Sequence, residues 1–236
     1  MQREALAIRE KMLGPESTSV GVSCVNLGDS LRRAKQYDEA LGLVRRARVI
    51  FSAKLGPEHP HVGFTFHNEG AVLLDKHDFP GAQEAFEKGL ALRLKALGPT
   101  HPEVAQSYAA IAEAARRAGK LDAAIDAAKK GLEIIDTPKA PQPATTAKLL
   151  AVRGLALLDK KNAKAASTDL ERALSIYEKT PNTPADTAEV QSGLARALTR
   201  LPKSDHQRIG TLVSAAREVF EREKDTQAMR EQEGVK

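Results

Sequence analysis

One short segment gathers residue types that bind metals, namely Glu58, His59, His61 and His67. Imidazole and carboxylate groups are ligands of zinc, so this segment is the first candidate for chemistry. The Cys and His spacings of zinc sites are missing, however, and the dipeptide His59-Pro60 recurs as His101-Pro102 without other histidines beside it. The pattern favours a repeated helix start, and we expect neither a bound metal nor a cofactor.

The remaining reactive residue types form no catalytic pattern. Cys24 lies among apolar residues at helical spacing rather than at an electropositive helix start, and as the single cysteine it excludes an intramolecular disulfide. No Ser, His and acid combination accompanies a nucleophile turn, and no glycine loop has a phosphate-binding pattern. We therefore expect a chain that is not an enzyme.

Composition excludes further classes of function. The 236 residues carry 36 Lys and Arg against 31 Asp and Glu, a net charge of +5, with both signs alternating along the chain. Nucleic-acid binding needs basic residues clustered on one face, so no nucleic-acid partner is expected. The N-terminus has no apolar signal core and no stretch reaches membrane-spanning length, which predicts a cytoplasmic protein without a membrane partner.

The tripeptide Leu-Gly-Pro recurs at Leu13, Leu55 and Leu97, at intervals of 42 residues. A second pattern ends at Ala40, Ala82 and Ala124 with the same interval. Two patterns that stay in phase indicate an internal structural repeat.

Each interval contains two amphipathic helical segments joined by a short turn, so neighbouring helices are expected to be antiparallel. We call them the first and the second helix of a repeat. In each Leu-Gly-Pro tripeptide, glycine suits a left-handed helix end, and proline prevents the helix from continuing. Pro60 and Pro102 suit the first position of the next helix, and Thr183-Pro184 repeats this start signal. Beyond the third repeat, Pro141 to Pro143 and Pro181 to Pro184 mark degenerate boundaries.

The expected organisation has seven segments. They are the second helix of a truncated repeat (1–16), four repeats (17–58, 59–100, 101–141 and 142–183), a degenerate repeat with a capping helix (184–224) and a disordered charged tail (225–236).

The repeat resembles the tetratricopeptide repeat in its 42-residue form, familiar from kinesin light chains. Small residues occupy the sites that this family keeps small, here Gly28, Ala40, Ala47, Gly70, Ala82, Gly89, Ala112, Ala124 and Gly131. The resemblance implies an all-α, right-handed superhelical solenoid of antiparallel helix pairs that binds protein or peptide ligands. The phrases EALAIREKMLGPES and SGLARALTR also resemble C-terminal repeat regions of myxobacterial serine/threonine kinases.

In such a solenoid the first helices line a concave groove, which is the expected ligand site. The groove-facing candidates are Asn26, Asp29, Arg33, Phe64, His67, Asn68, Gln106, Glu113, Arg116 and Lys148. Asn26 and Asn68 occupy equivalent positions, and the resemblance implies that they bond a peptide backbone. Bonding to neighbouring helices or to water is the competing interpretation, as core packing is for Phe64.

The N-terminal segment corresponds to a second helix without its first helix, which would leave Leu6 and its apolar neighbours exposed. This predicts either a longer parent chain or a homodimer through the N-terminal helix.

Three functions are compatible with the sequence: a protein-binding scaffold, the regulatory or docking arm of a larger bacterial signalling protein such as a kinase, and a self-association module. The expected partner is a protein or peptide that binds either as a helix or as an extended strand.

Overall fold

The computed structural model describes residues 2–135, 142–180, 183–202 and 205–233. Within these ranges the backbone forms eleven α-helices and no strand, which confirms the all-α prediction. The helices are α1 (Gln2–Leu13), α2 (Thr18–Arg33), α3 (Tyr37–Leu55), α4 (Pro60–Asp75), α5 (Phe79–Leu97), α6 (Pro102–Arg117), α7 (Leu121–Ile135), α8 (Pro143–Asp159), α9 (Ala163–Tyr177), α10 (Pro184–Thr199) and α11 (His206–Glu233).

The chain divides into two compact units, Met1–Lys120 and Leu121–Lys236, which we call unit one and unit two. In unit one each helix packs on the next, and the first helices α2, α4 and α6 also contact one another in sequence. In unit two, α8 and α10 make the same kind of contact. The predicted repeat boundaries stay predictions, and of the two degenerate ones the residues Pro141, Pro181 and Asn182 lie outside the described residues.

The turn after a first helix has one conformation that recurs every 42 residues. Lys35, His77, Gly119 and Lys161 have φ values of 61°, 65°, 76° and 64°. At each turn the left-handed residue donates to a carbonyl three residues back and the next residue donates to one five residues back, as in Lys35 to Arg32 and Gln36 to Leu31. This is the Schellman motif, which satisfies the helix-end carbonyls and turns the chain back on itself.

Glycine ends the second helices α3 and α5, as predicted, but in a different conformation. Gly56 has φ 96° and ψ 152°, and Gly98 has φ 81° and ψ 167°. The expectation of a left-handed residue is wrong in ψ, because the chain here leaves the helix in an extended direction. This region of φ and ψ is essentially restricted to glycine, so the residue type is required more strictly than expected.

The first helices begin where the prolines predict. Pro60, Pro102, Pro143 and Pro184 are each the opening residue of a helix. Thr183 accepts a hydrogen bond from the backbone N–H of Asp186 at 3.2 Å, which confirms that helix start. The histidines before two of these prolines are N-caps: Nδ1 of His59 accepts from the N–H of His61, and Nδ1 of His101 from that of Glu103.

Small residues let the paired helices approach closely. A Cβ at Gly89 of α5 would lie 3.0 Å from the carbonyl oxygen of Gly63 in α4, and a Cβ at Gly70 would lie 2.6 Å from the ring of Phe86. Phe86 is only 2% exposed, so its ring has no room to move. Among the predicted small sites, Gly70 and Gly89 are therefore confirmed as helix crossings.

Helix α11 leaves exposed two apolar side chains whose counterparts in α3 are buried. Val213 and Phe220 match Val44 and Phe51 of α3 in sequence, but they are 46% and 44% exposed whereas Val44 and Phe51 are buried. A second helix inside the array packs against the first helix of the following repeat as well as its own, and α11 has no such follower in the described chain. The helix runs to Glu233, within the tail for which disorder was expected, and residues 234–236 lie outside the described residues.

Two glycine-to-alanine substitutions should have opposite effects on stability. Gly70→Ala places a methyl group against the immobile ring of Phe86, so we expect it to lower the free energy of unfolding by about 1–3 kcal/mol. Gly42 is exposed on α3 and its added Cβ would meet no described atom within 4 Å, so Gly42→Ala should raise that free energy by about 1 kcal/mol. Urea unfolding followed by circular dichroism measures both, and equal effects would contradict the crossing assigned to Gly70.

Candidate functional site

The candidate site is an open strip on the first helices of unit one, formed by Val22, Asn26, Phe64, Asn68 and Gln106. We call it the unit-one strip. Val22 and Phe64 are 42% and 45% exposed and occupy equivalent positions on α2 and α4, which contact each other. Asn26 and Gln106 are also exposed, and Asn68 is half-buried. The strip thus presents apolar side chains and amides at matching positions of neighbouring helices.

Asn68 makes a hydrogen bond within its own helix rather than to a neighbouring one. Its Nδ2 donates to the carbonyl oxygen of Phe64 at 2.8 Å, one turn earlier in α4. A carboxamide has two N–H donors and an oxygen with two acceptor sites, so this bond uses one part of its capacity. The bond also orients the amide, which reduces the entropy lost when a ligand binds.

Two charged clusters flank the strip at equivalent positions of α2 and α6. Asp29 accepts from Arg32 and Arg33, each at 3.0 Å, and Glu113 pairs with Arg116 at 3.1 Å and Arg117 at 2.6 Å. Glu113 is 4% exposed, so its expected position on the open groove surface is wrong. The prediction used only the periodicity of the helix and did not include the packing of α6, which buries the Glu113 carboxylate.

Ion pairs also join one helix to the next. Arg32 reaches Asp75 of α4 at 2.5 Å, and this bond ties the ends of two neighbouring first helices together. In unit two, Lys148 of α8 lies 3.2 Å from Asp186 of α10, so its ammonium contacts a first helix rather than only solvent. Arg33 is the most open of these cations, with 74% of its side chain exposed.

Glu69 of α4 is a buried carboxylate that the sequence did not single out. It accepts from Nε of Arg45 at 2.7 Å and from Arg48 of α3, and the Arg48 guanidinium lies 4.3 Å from the centre of the Phe66 ring. Burial alone would raise the pKa of Glu69, but the hydrogen bonds from both arginines outweigh it and hold that pKa below its usual value. The sequence carries one signal for Glu69, which is a charged residue at a repeat position where the neighbouring repeats have Leu27 and Ile111.

His67 lies behind the strip rather than on it. Its ring is half-buried, with its centroid 5.4 Å from that of Phe86. Burial, with the nearby positive charges of Arg93 and Arg32, lowers the pKa of His67 to about 4. The imidazole is therefore neutral at physiological pH and contributes packing and hydrogen-bonding capacity rather than charge.

The N-terminal helix differs in part from its prediction. Leu6 is 8% exposed, so the expectation that it faces solvent is wrong, because α2 packs against α1 and covers it. Ala5, Ile8 and Met12 are exposed instead, and Ile8 is 57% exposed. A homodimer through this helix and a longer parent chain both stay predictions.

The described residues contain no group of three His, Cys, Asp or Glu side chains arranged to hold a metal ion. Among the helices in that part of the chain, none combines the length and hydropathy needed to cross a bilayer.

Paired antiparallel helices at a constant interval, with small residues at their crossings and an open strip on the first helices, define a helical repeat protein. Family models of the tetratricopeptide repeat match residues 20–95, 65–136 and 147–180. The chain belongs to the tetratricopeptide repeat family, and its solenoid fold class is the one predicted.

Solved structures show the same fold. BtubC (BKLC) from P. vanneervenii matches with a TM-score of 0.72 and 17% identity over 94% of this chain and 88% of that one. A Podosopora anserina protein designated as a kinesin light chain, with nearly identical TPR-like repeats, matches with a TM-score of 0.65 and 21% identity over 86% of this chain and 96% of that one. Among curated proteins no sequence relative matches. The resemblance to kinase repeat regions gains no support from these comparisons and stays a prediction.

The low pKa of His67 predicts a pH-dependent stability. The unfolded chain binds a proton near pH 6.5 and the folded chain only near pH 4, so stability should fall as the pH is lowered between these values. The resulting loss in the free energy of unfolding from His67 should approach about 2–3 kcal/mol at pH 4. Urea unfolding of the parent and of His67→Gln at pH 7, 5.5 and 4.5 gives the measurement. The difference between the two proteins should shift steadily with pH, and a constant difference would contradict the assignment.

Removing the buried carboxylate of Glu69 should lower the free energy of unfolding far more than removing an exposed carboxylate. Glu69→Ala leaves Arg45 and Arg48 facing a site without a counter-charge, and we expect a loss of about 3–5 kcal/mol in the free energy of unfolding. Glu84→Ala removes an exposed i,i+4 pair with Lys88 and should cost less than about 1 kcal/mol. Thermal and urea unfolding compare the two, and similar losses would show that the Glu69 pairs do not stabilise the α3–α4 contact.

Proposed function

We propose that this chain is a protein-interaction scaffold that binds an extended peptide segment across the unit-one strip. Proteins of this family commonly mediate protein–protein interactions and are generally scaffolds without enzymatic activity. The observation that carries the proposal for this chain is the matched pair of sites on adjacent helices, with Asn26 beside Val22 and Asn68 beside Phe64.

The spacing of the first helices suits an extended ligand. Packed helices lie about 10 Å apart, and an extended chain advances about 3.3 Å per residue, so neighbouring first helices meet a peptide about three residues apart. Each asparagine can donate to one backbone carbonyl and accept from one backbone N–H. Val22 and Phe64 then contact ligand side chains with the same spacing. A peptide of about nine residues would cross α2, α4 and α6 and reach Gln106.

The charges beside the strip are already paired, which shapes the expected specificity. Arg32 bonds both Asp29 and Asp75, so a ligand gains little from displacing these groups. Arg33 also pairs with Asp29, but 74% of its side chain is exposed, so its guanidinium adds a preference for a carboxylate near one end of the peptide. Affinity of this kind is expected near the micromolar range, about −8 kcal/mol, because ordering the peptide offsets part of the contact energy.

Peptide selection tests the proposal with a random library in place of a named partner. A displayed library of peptides about twelve residues long is selected on the immobilised full chain, and the enriched peptides are synthesised for fluorescence anisotropy. The Asn26→Ala, Asn68→Ala double variant should bind at least about tenfold more weakly, since two hydrogen-bonding groups are lost. Phe64→Ala should weaken binding by a similar factor.

Matched controls separate the strip from the rest of the surface. Val49 is 68% exposed on the second helix α3, so Val49→Ala removes an exposed apolar side chain away from the strip and should leave affinity unchanged. Gln36→Ala does the same for an exposed amide in the turn after α2. Equal binding by the parent and the double variant, or a selection without enrichment, would refute the proposed peptide site.

A further inference from the structure

The bond between Arg32 of α2 and Asp75 of α4 joins the two first helices that carry the asparagines of the unit-one strip. Nε and Nη2 of Arg32 donate to Asp29 at 3.2 and 3.0 Å, which fixes the guanidinium on its own helix, and Nη1 crosses to Asp75 at 2.5 Å. Burial lowers the pKa of Arg32, but the hydrogen bonds to both carboxylates outweigh it and hold that pKa above its usual value. The Arg32 and Asp75 side chains are 25% and 33% exposed, so salt screens this link less than it screens a fully exposed pair.

The residues of this link follow a sequence period of two repeats. After 84 residues, Asp29, Arg32 and Arg33 recur as Glu113, Arg116 and Arg117, and Leu74-Asp75-Lys76 recurs as Leu158-Asp159-Lys160. Within unit one, α4 has Leu74 at the position that Arg32 occupies in α2, so the same bond cannot form from α4 to α6. The charges therefore match α2 specifically with α4.

A second contact holds α2 and α4 at their opposite ends. Phe51 of α3 lies between them, because a Cβ at Gly21 of α2 would lie 2.7 Å from its ring, and the ring of His61 of α4 has its centroid 5.1 Å away. Phe51 is 2% exposed, so its ring is a fixed spacer. One fixed point at each end sets the separation of α2 and α4 over the length between them, where Asn26 and Asn68 lie.

We propose, on the basis of the peptide site described above, that Arg32 and Asp75 determine which peptides the strip accepts. They restrict it to peptides whose two anchors, the side chains that contact Val22 and Phe64, are about three residues apart. A peptide held at two points binds tightly only when the spacing of its anchors fits the spacing of the two helices. Without the link, Phe51 remains as a pivot and the far ends of α2 and α4 can separate. Longer anchor spacings are then accepted.

Two peptides test the link on the full chain. The anchors of an enriched peptide are located by alanine substitution, and the peptide is then synthesised with its own anchor spacing and with one glycine inserted between the anchors. Fluorescence anisotropy should show that the parent binds the original peptide about tenfold more tightly than the elongated one. Asp75→Ala removes the acceptor on α4 without changing a residue of the strip, and its preference should fall below about threefold.

The ratio of the two affinities separates positioning from stability. A loss of stability alone changes both affinities by the same factor, because both peptides need the same folded site. Asp75→Glu keeps a carboxylate on α4 and should restore most of the preference. Asp38→Ala removes another ion pair of unit one, between Asp38 and Lys76 at 2.6 Å, and should keep the parent ratio.

Three results would overturn the role of the link while the peptide site itself stands: a parent without a preference between the two peptides, an Asp75→Ala variant that keeps the parent ratio, or an equal loss of preference in Asp38→Ala. A selection without enrichment would overturn the peptide site and the role of the link together, so the two failures are distinguishable.

Discussion

The close approach of paired helices is the constraint on which this structure depends. At the crossing of α4 and α5, Gly63 and Gly89 bring the two backbones almost into contact, and in unit two the side chain of Leu170 lies directly against Gly154. A Cβ at either kind of site would force the axes apart. Because each pair is held at this short separation, neighbouring first helices within a unit contact each other, as α2, α4 and α6 do in unit one, and their equivalent residues lie side by side.

Polar groups between the helices determine how the pairs stack. Arg93 is 3% exposed and donates to Oγ of Ser107 at 2.8 Å, while Arg9 donates to Ser23 at the equivalent position two repeats earlier. Asp169 accepts two bonds from Arg153 at 2.6 and 2.7 Å. Buried charges of this kind are stable only when paired, so they disfavour any sliding of one helix along another. Apolar contacts between Ala and Leu residues would tolerate such sliding far better.

The sequence predicted the features that recur from repeat to repeat and missed those that occur in one repeat only. Glycine, proline and small residues act through the local backbone and through one crossing, so their spacing located the helix starts and the helix pairs. Glu69 could not be placed from its own helix, because its partners Arg45 and Arg48 belong to α3. Glu113 was expected on the surface because counting along a helix gives the direction of a side chain and not how deeply it is buried. The exposure of Phe220 depends on whether another helix follows, which the match to Phe51 cannot reveal. Asn26 and Asn68 were placed on neighbouring first helices correctly, but their ligand contacts remain proposed.

The turn residues Lys35, His77, Gly119 and Lys161 keep one conformation at a fixed sequence distance, and this has a consequence for how the gene can change. If a segment of one full period is deleted or duplicated in frame, each new junction joins residues that already have equivalent neighbours. No turn has to adopt a new shape, and each small residue again meets its crossing. The number of helix pairs can therefore vary during evolution without redesign of the contacts between them.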